Sequence, residues 1–316
     1  MFEDTRDTNR ASWRTRPKRV IMTQTQPKIT VVTPSYNQGR YLEKTITSVL
    51  SQNYESLEYI VLDGGSSDNS VDIIKAYARD LAYWESGPDD GQAAAIKHGM
   101  EELATGDVVC WVNSDDMLMP GALAEVARQY QLGDWALLAG RIAIIDEHDR
   151  ATHLQVPMDR SIESMLTWGH GLAQMATFYR SSAIAEIGGI DTSLSFAFDF
   201  DLFVRLKQYG RFQYTDQCLA AARLHSEAKS ACIPEFGLRE CQLISRKYSS
   251  MPFLNNLRSF TRGHDVSFQL RNHVAWKMEK QSILDGLALA FARCEEEAAK
   301  LCHQGRDGRS RRDVCA

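Results

Sequence analysis

From Lys28 to Gln131 the chain alternates strand-type and helix-type segments with little between them, a pattern that few architectures other than a layered α/β sheet satisfy. Ile29-Thr30-Val31-Val32-Thr33 is rich in β-branched residues and is stopped by Pro34. Arg40 to Ser51 follows as a helix, with Tyr41, Leu42, Thr45, Ile46, Val49 and Leu50 on one apolar face. Tyr59-Ile60-Val61-Leu62 is the second strand, and Asp68 begins the second helix as an N-cap acid. A short strand at Ala82-Tyr83-Trp84, a helix from Gln92 to about Leu103 and a strand at Asp107 to Val112 complete the series. In such sheets the strand ends open onto one crevice. Three of the four strands end in a loop bearing aspartate, so Tyr36, Asp63, Asp89, Asp115 and Asp116 are expected to share a pocket.

After the helix at Ala122 to Gln131, apolar strands at Trp135 to Ala139 and Ile142 to Ile145 predict a change to mixed or antiparallel pairing. Phe198-Asp199-Phe200-Asp201 opens a further helix, with Asp199 and Asp201 on different faces and Arg205 four residues beyond Asp201. Beyond about Ile233 the sequence is helical and polar. The expected organisation is a basic arm over 1–27, an α/β domain over 28–230 with halves at 28–132 and 133–230, and a helical C-terminal region over 231–316 with a basic tail.

Composition narrows the function classes. A net charge of -5 draws the whole chain to no nucleic acid. The arm carries Arg6, Arg10, Arg14, Arg16, Lys18, Arg19 and Lys28, which could touch an anionic membrane surface, although a solvated arm is the simpler reading. No apolar run approaches the ~20 residues of a spanning helix, and no signal peptide is seen, so a cytoplasmic protein is expected, at most peripheral at the inner membrane face. Seven cysteines without a CxxC pair fit reduced thiols.

Adjacent carboxylates at a strand end, as in Asn113-Ser114-Asp115-Asp116, suit a divalent cation and a neighbouring hydroxyl. The same residues also suit a capped turn. Together with Val32-Thr33-Pro34-Ser35-Tyr36-Asn37, Asp63-Gly64-Gly65-Ser66-Ser67-Asp68 and Phe198-Asp199-Phe200-Asp201-Leu202, this stretch resembles the family 2 glycosyltransferases over about Lys28 to Lys229. That resemblance implies a GT-A nucleotide-diphospho-sugar transferase fold, with a mostly parallel central sheet flanked by helices. The activity it implies is metal-dependent, inverting transfer of a sugar from a nucleotide-diphosphate donor to a hydroxyl, with Mn²⁺ or Mg²⁺.

Residue by residue, the resemblance places Thr33, Pro34 and Tyr36 at the nucleotide base and makes Asp63 the acceptor for the base N–H, favouring UDP- or dTDP-sugars. Asp89 lies beside the nucleotide, Asp115 on the ribose, Asp116 on the metal and Asp199 as general base. His225, in Arg223-Leu224-His225, is similar to the histidine that closes such sites and is a candidate second metal ligand. Two positions depart from the pattern: Asn113 stands where the family's DxD motif begins, and Phe198 replaces the acidic neighbour of the base. The acceptor implied is a sugar or lipid-linked sugar in cell-surface polysaccharide or glycolipid assembly. The alternatives are a sugar nucleotidyltransferase, disfavoured because Pro34-Ser35-Tyr36-Asn37 lacks clustered glycines, and a catalytically weak nucleotide-sugar-binding protein.

Overall fold

The structure, a computed structural model, describes residues 26–229 and 235–250. The expected basic arm lies almost wholly outside the described residues, as does the tail beyond 250.

Strand β1 (Ile29–Ser35) is buried along its whole length because β2 (Leu57–Asp63) and β4 (Val108–Trp111) flank it in parallel and helices cover both faces. A strand in that position reads as a near-continuous apolar run, and its two threonines need partners. Thr30 donates to Glu58 Oε2 at 2.6 Å, and the Thr33 hydroxyl lies 3.0 Å from the Tyr59 hydroxyl. Helix α1 (Gly39–Leu50) links β1 to β2, and α2 (Ser70–Tyr77) links β2 to β3 (Tyr83–Ser86). Helix α3 (Gln92–Lys97) runs into a π-helical turn (His98–Leu103), filling the span expected as one helix. The N-cap of α2 is Asn69 rather than Asp68, whose carboxylate instead accepts from the Ser70 and Gly39 amides.

The order β3-β2-β1-β4 is parallel throughout. The expected change of pairing then follows. Strand β8 (Thr177–Arg180) pairs antiparallel with β4 and with β6 (Leu137–Ile145), which also carries β7 (Ala151–Gln155). Strand β9 (Phe212–Arg223) is parallel to β6, and β5 (Met117–Leu118) pairs antiparallel with the end of β9. The two strands expected between Trp135 and Ile145 are thus one, with a register shift around Gly140. A Cβ on Gly140 would sit 2.3 Å from Leu219 Cγ, so the glycine lets β6 pass close to β9 without breaking.

Helices α4 (Ala122–Leu132), α5 (Ile162–Trp168), α6 (Ser181–Glu186), α7 (Phe198–Tyr209) and α8 (Glu235–Tyr248) complete the described chain. On one face of the sheet Trp111 stacks on Tyr179 at 5.6 Å and meets Phe198 at 6.0 Å, which anchors the first turn of α7 to the end of β4. Helix α8 falls inside the segment expected as an appendage, but its Ile244 shares the core of α7, and Ser245 donates to the Leu166 carbonyl. Helix α8 is thus packed on α7 and α5.

The π-helical turn lies against β1 so closely that a Cβ on Gly99 would meet Val32 Cγ1 at 2.5 Å. Val32 is β-branched, fully buried and cannot rotate away. Overpacking of this kind costs ~1–3 kcal/mol, partly offset by the ~1 kcal/mol helix preference of alanine over glycine. Gly99→Ala is expected to lower the melting temperature by a few degrees in a thermal melt. An unchanged or higher value would mean that β1 and the turn are less tightly apposed.

Candidate active site

The loops at the carboxyl ends of β1, β2 and β3 are tied together. Asn37, at φ +52°, donates from its amide to Ser66 Oγ and accepts from the Ser67 amide, each at 2.8 Å. Asp63 is buried and gathers four donors: the Gly65 and Ser66 amides and the Ser86 hydroxyl on Oδ2, and the Ser66 hydroxyl on Oδ1. Its Oδ1 retains capacity for one further donor. Asp89 accepts from the Gly91 amide and lies against Gly64, where a Cβ would come within 3.1 Å of its carboxylate. Thr33 and Pro34 are buried within β1, and the Thr33 hydroxyl is engaged by Tyr59. Of the expected base wall, Tyr36 alone presents its side chain to the surface, at 63% exposure.

The loop after β4 is built around its backbone. Thr45 of α1 donates to both the Ser114 and Asp116 carbonyls, at 2.9 and 2.7 Å. Asp116 points inward and is 4% exposed. Its Oδ1 accepts from the Arg223 amide and its Oδ2 from Asn113 Nδ2, both at 3.1 Å. Burial and the neighbouring Asp115 charge push its carboxyl well above the ordinary carboxylate range. Asp115, in the turn closed by the Asp116 amide on the Asn113 carbonyl, points the other way, and its Oδ2 lies 3.0 Å from His225 Nε2. Asp116 is a buried acceptor that joins the loop to β9, and Asp115 is the carboxylate paired with His225.

Asn113 is a hub that the sequence showed only as a departure. Its amide nitrogen donates to Asp116 and to Gln174 Oε1 at 3.2 Å, and its carbonyl accepts from Gln92 Nε2 at 2.9 Å. Gln174 is fixed in turn, donating to the Trp111 carbonyl at 2.7 Å. Beneath Asp115, Arg223 donates from Nε to the Asp115 carbonyl and from Nη1 to the Asp146 carbonyl and the Asp149 carboxylate. Burial opposes the charge on Asp149, but Lys44 and Arg223 hold its carboxyl below the ordinary value. The Tyr41 ring contacts both His225, at 4.8 Å, and the Arg223 guanidinium, at 4.7 Å. Tyr41 OH, Arg223 Nη2 and His225 Nδ1 are all buried without a hydrogen-bond partner.

Asp199 sits in the first turn of α7, partly buried, accepting from the Phe200 amide at 2.7 Å. Burial raises its carboxyl, against the opposing pull of His170, the Phe200 N–H and Lys229. His170 is itself lowered by burial. Its Nδ1 accepts from the Leu172 amide, which leaves the proton of the neutral ring on Nε2. Asp201, on the other face, pairs with Arg205 at 2.6 Å as the spacing predicts. Lys229 joins the two halves of the molecule by donating to Gln92 Oε1 at 2.8 Å and to the Ser195 carbonyl at 2.6 Å. A continuous hydrogen-bonded path, Asn113–Gln92–Lys229–Ser195, thus runs from the acidic loop to the start of α7. Sequence reasoning missed Gln92, Gln174 and His170; only Gln174, inside an otherwise apolar strand entry, carried a signal.

Residues 30–188 match the family Glycosyl transferase family 2, about half of the chain. The chain belongs to that family. An uncharacterized glycosyltransferase of Mycobacterium tuberculosis is 29% identical over 186 residues, 57% of this chain and 68% of the relative. One from Rickettsia typhi is 23% identical over 286 residues, 82% and 87% of the two chains. Among solved structures, residues 1–349 of Staphylococcus aureus TarS in complex with UDP-GlcNAc superpose with a TM-score of 0.60 at 17% identity, covering 90% of this chain and 93% of that one. The mannosyltransferase PcManGT of Pyrobaculum calidifontis, in complex with GDP-Man and Mn²⁺, gives 0.51 at 18% identity, covering 90% and 81%. The family 2 chain therefore has the GT-A fold and is a glycosyltransferase. Among its described residues no helix is long and apolar enough to cross a membrane, and no cluster of three or more potential metal-ligating side chains forms.

Proposed function

We propose that this family 2 chain is an inverting glycosyltransferase that moves a sugar from a UDP- or dTDP-linked donor to a hydroxyl, with Asp199 as general base and Asp115 and His225 holding a divalent cation. The observation that carries this reading is the Asp115–His225 pair, joined through Asn113, Gln92 and Lys229 to the turn that carries Asp199. Asp115 Oδ2 and His225 Nε2 already meet at 3.0 Å, so a cation would be held by these two residues without a rearrangement that brings them together. One carboxylate and one neutral imidazole suit Mn²⁺ or Mg²⁺ completed by donor oxygens, and the buried, unpaired His225 Nδ1 is free to take the proton of that ring. When bound, such a cation supplies charge neutralisation for the departing nucleoside diphosphate.

The remaining work falls to the chain's own groups. Tyr36 offers a ring for the nucleotide base, Asp63 Oδ1 an acceptor for its N–H, and Asp89 a carboxylate beside them. Asp199 takes the proton of the attacking acceptor hydroxyl. A single displacement with one such base inverts the anomeric centre. Neighbours of the same fold in complex with UDP-GlcNAc and with GDP-Man support a nucleotide-sugar donor, and the Asp63 acceptor favours uracil or thymine here. A sugar or lipid-linked sugar acceptor in cell-surface glycan assembly, reached by a protein peripheral at the cytoplasmic membrane face, follows from the family resemblance.

A thermal-shift series with UDP-, dTDP- and GDP-sugars, each with and without Mn²⁺, tests the donor and the metal together. Stabilisation by UDP- or dTDP-sugars that requires Mn²⁺ and disappears in Asp115→Asn is expected, because only ligands that bind the folded state raise the melting temperature. A preference for GDP-sugars would overturn the Asp63 assignment. If Asp116→Asn removed the Mn²⁺ dependence while Asp115→Asn kept it, the metal assignment would be reversed.

A further inference from the structure

The turn that leads into α7 is held from both sides. The Ser195, Phe196 and Ala197 amides each point at one carboxylate, that of Glu240: Oε1 accepts from Ser195 and Oε2 from Phe196 and Ala197, all at 2.8 Å. On the carbonyl side, Lys229 donates to Ser195 O at 2.6 Å, with its ammonium 5.6 Å from the centre of the Phe198 ring. Glu240 belongs to α8, well outside the residues matched to the family. The seat of α8 on this turn is shaped for the contact. A Cβ on Gly237 would meet the Phe196 ring at 2.8 Å, Phe196 packs edge-on against Phe236, and Tyr248 OH donates to Asp201 one turn further along α7.

We infer that Glu240 is a positioning residue for the transfer reaction, fixing through the 195–197 turn the backbone from which Asp199 reaches the acceptor. The inference rests on Asp199 being the base. Ala197 is the N-cap of α7 and Ser195 and Phe196 precede it, so none of the three amides has a partner within the helix, and one carboxylate accepting all three leaves the turn little freedom to tilt. Asp199 begins two residues beyond the last of those amides, so a shift of the turn moves the base directly. A misplacement of ~1 Å costs on the order of 100-fold in rate. Glu240 also acts on Lys229, a cation that acts on the base. The titratable groups around Asp199 are His170 from the loop after α5, Tyr179 from β8, Lys229 beyond β9 and Cys241 from α8, and Lys229 is shared between Asp199 and Glu240.

That sharing gives a signature which a loss of packing alone would not produce. Glu240→Gln keeps the size of the side chain but presents one amide oxygen and an NH2 group to three N–H donors, so kcat should fall roughly 10- to 100-fold while donor binding, built on the β1–β4 loops, stays unchanged. With the Glu240 charge gone, Lys229 favours the Asp199 carboxylate alone, so the acid limb of the kcat–pH profile should move to lower pH. Lys229→Met removes the cation and should move that limb to higher pH. Glu240→Asp keeps the charge, so it should lose part of kcat with the limb in place, and it carries the test with Lys229→Met if Glu240→Gln does not fold. If Asp199→Asn abolishes transfer but Glu240→Gln changes neither kcat nor the limb, the positioning role is wrong and the base assignment stands. If Asp199→Asn stays active, both are wrong.

Discussion

Asp199→Asn should reduce sugar transfer by ~100- to 10,000-fold and leave donor binding untouched. The amide has the size of the carboxylate and can still accept from the Phe200 N–H, but it cannot take a proton from an attacking hydroxyl. Stability supplies the control. Burial raises the folded-state pKa of Asp199 above its unfolded value, so at neutral pH the ionised group opposes folding, and that opposition fades as pH falls through the folded pKa. Replacing it with a neutral amide should therefore hold or raise the melting temperature at pH 7, which separates lost chemistry from lost structure. In the parent protein the same shift predicts a rate that rises with pH through an acid limb above the ordinary carboxylate range of about 4. Transfer assays and melts on the two proteins check all three statements. Full transfer by Asp199→Asn would remove Asp199 from the mechanism.

The first half of the sheet was legible because its strands are buried on both faces and so read as unbroken β-branched runs, as at Ile29 to Thr33. Strand β9 was not. Its residues are mixed, Phe212 and Leu219 to Ala222 among polar neighbours, because part of its length is only partly covered. Gly140 looked like a break between two strands, and only the approach of Leu219 showed it to be a point of contact within one. Which of Asp115 and Asp116 turns inward was hidden for a related reason. Adjacent side chains diverge, but which one faces inward is decided by Thr45 and by Arg223, the latter more than 100 residues away in sequence. His170 gave no signal, since a lone histidine between glycines has no periodicity to report.

Restoring the family's acidic residue with Asn113→Asp should damage this protein rather than improve it. In the native hub the Asn113 carbonyl accepts from Gln92, and its NH2 group donates to the Asp116 carboxylate and to Gln174 Oε1. A carboxylate at 113 could still accept from Gln92, but its other oxygen would face two acceptors. Gln174 cannot turn to help, because its NH2 group is committed to the Trp111 carbonyl. Asp116 is already raised by burial and by Asp115, so a third carboxylate adds to an unfavourable pair. An uncompensated charge in a buried setting costs ~3–5 kcal/mol, and the partial exposure of Asn113 brings the expected loss to about 2–3 kcal/mol at pH 7 without divalent cation. The sign with pH follows from a folded-state pKa raised above the unfolded one. The penalty is full above the folded value and vanishes below about 4, so the gap in melting temperature between variant and parent should narrow as pH falls from 7 to 5. Melts in EDTA across that range measure it. A variant as stable as the parent at pH 7, or one whose deficit widens in acid, would mean that the 113 position is a solvated turn and that the amide hub does not order the acidic loop.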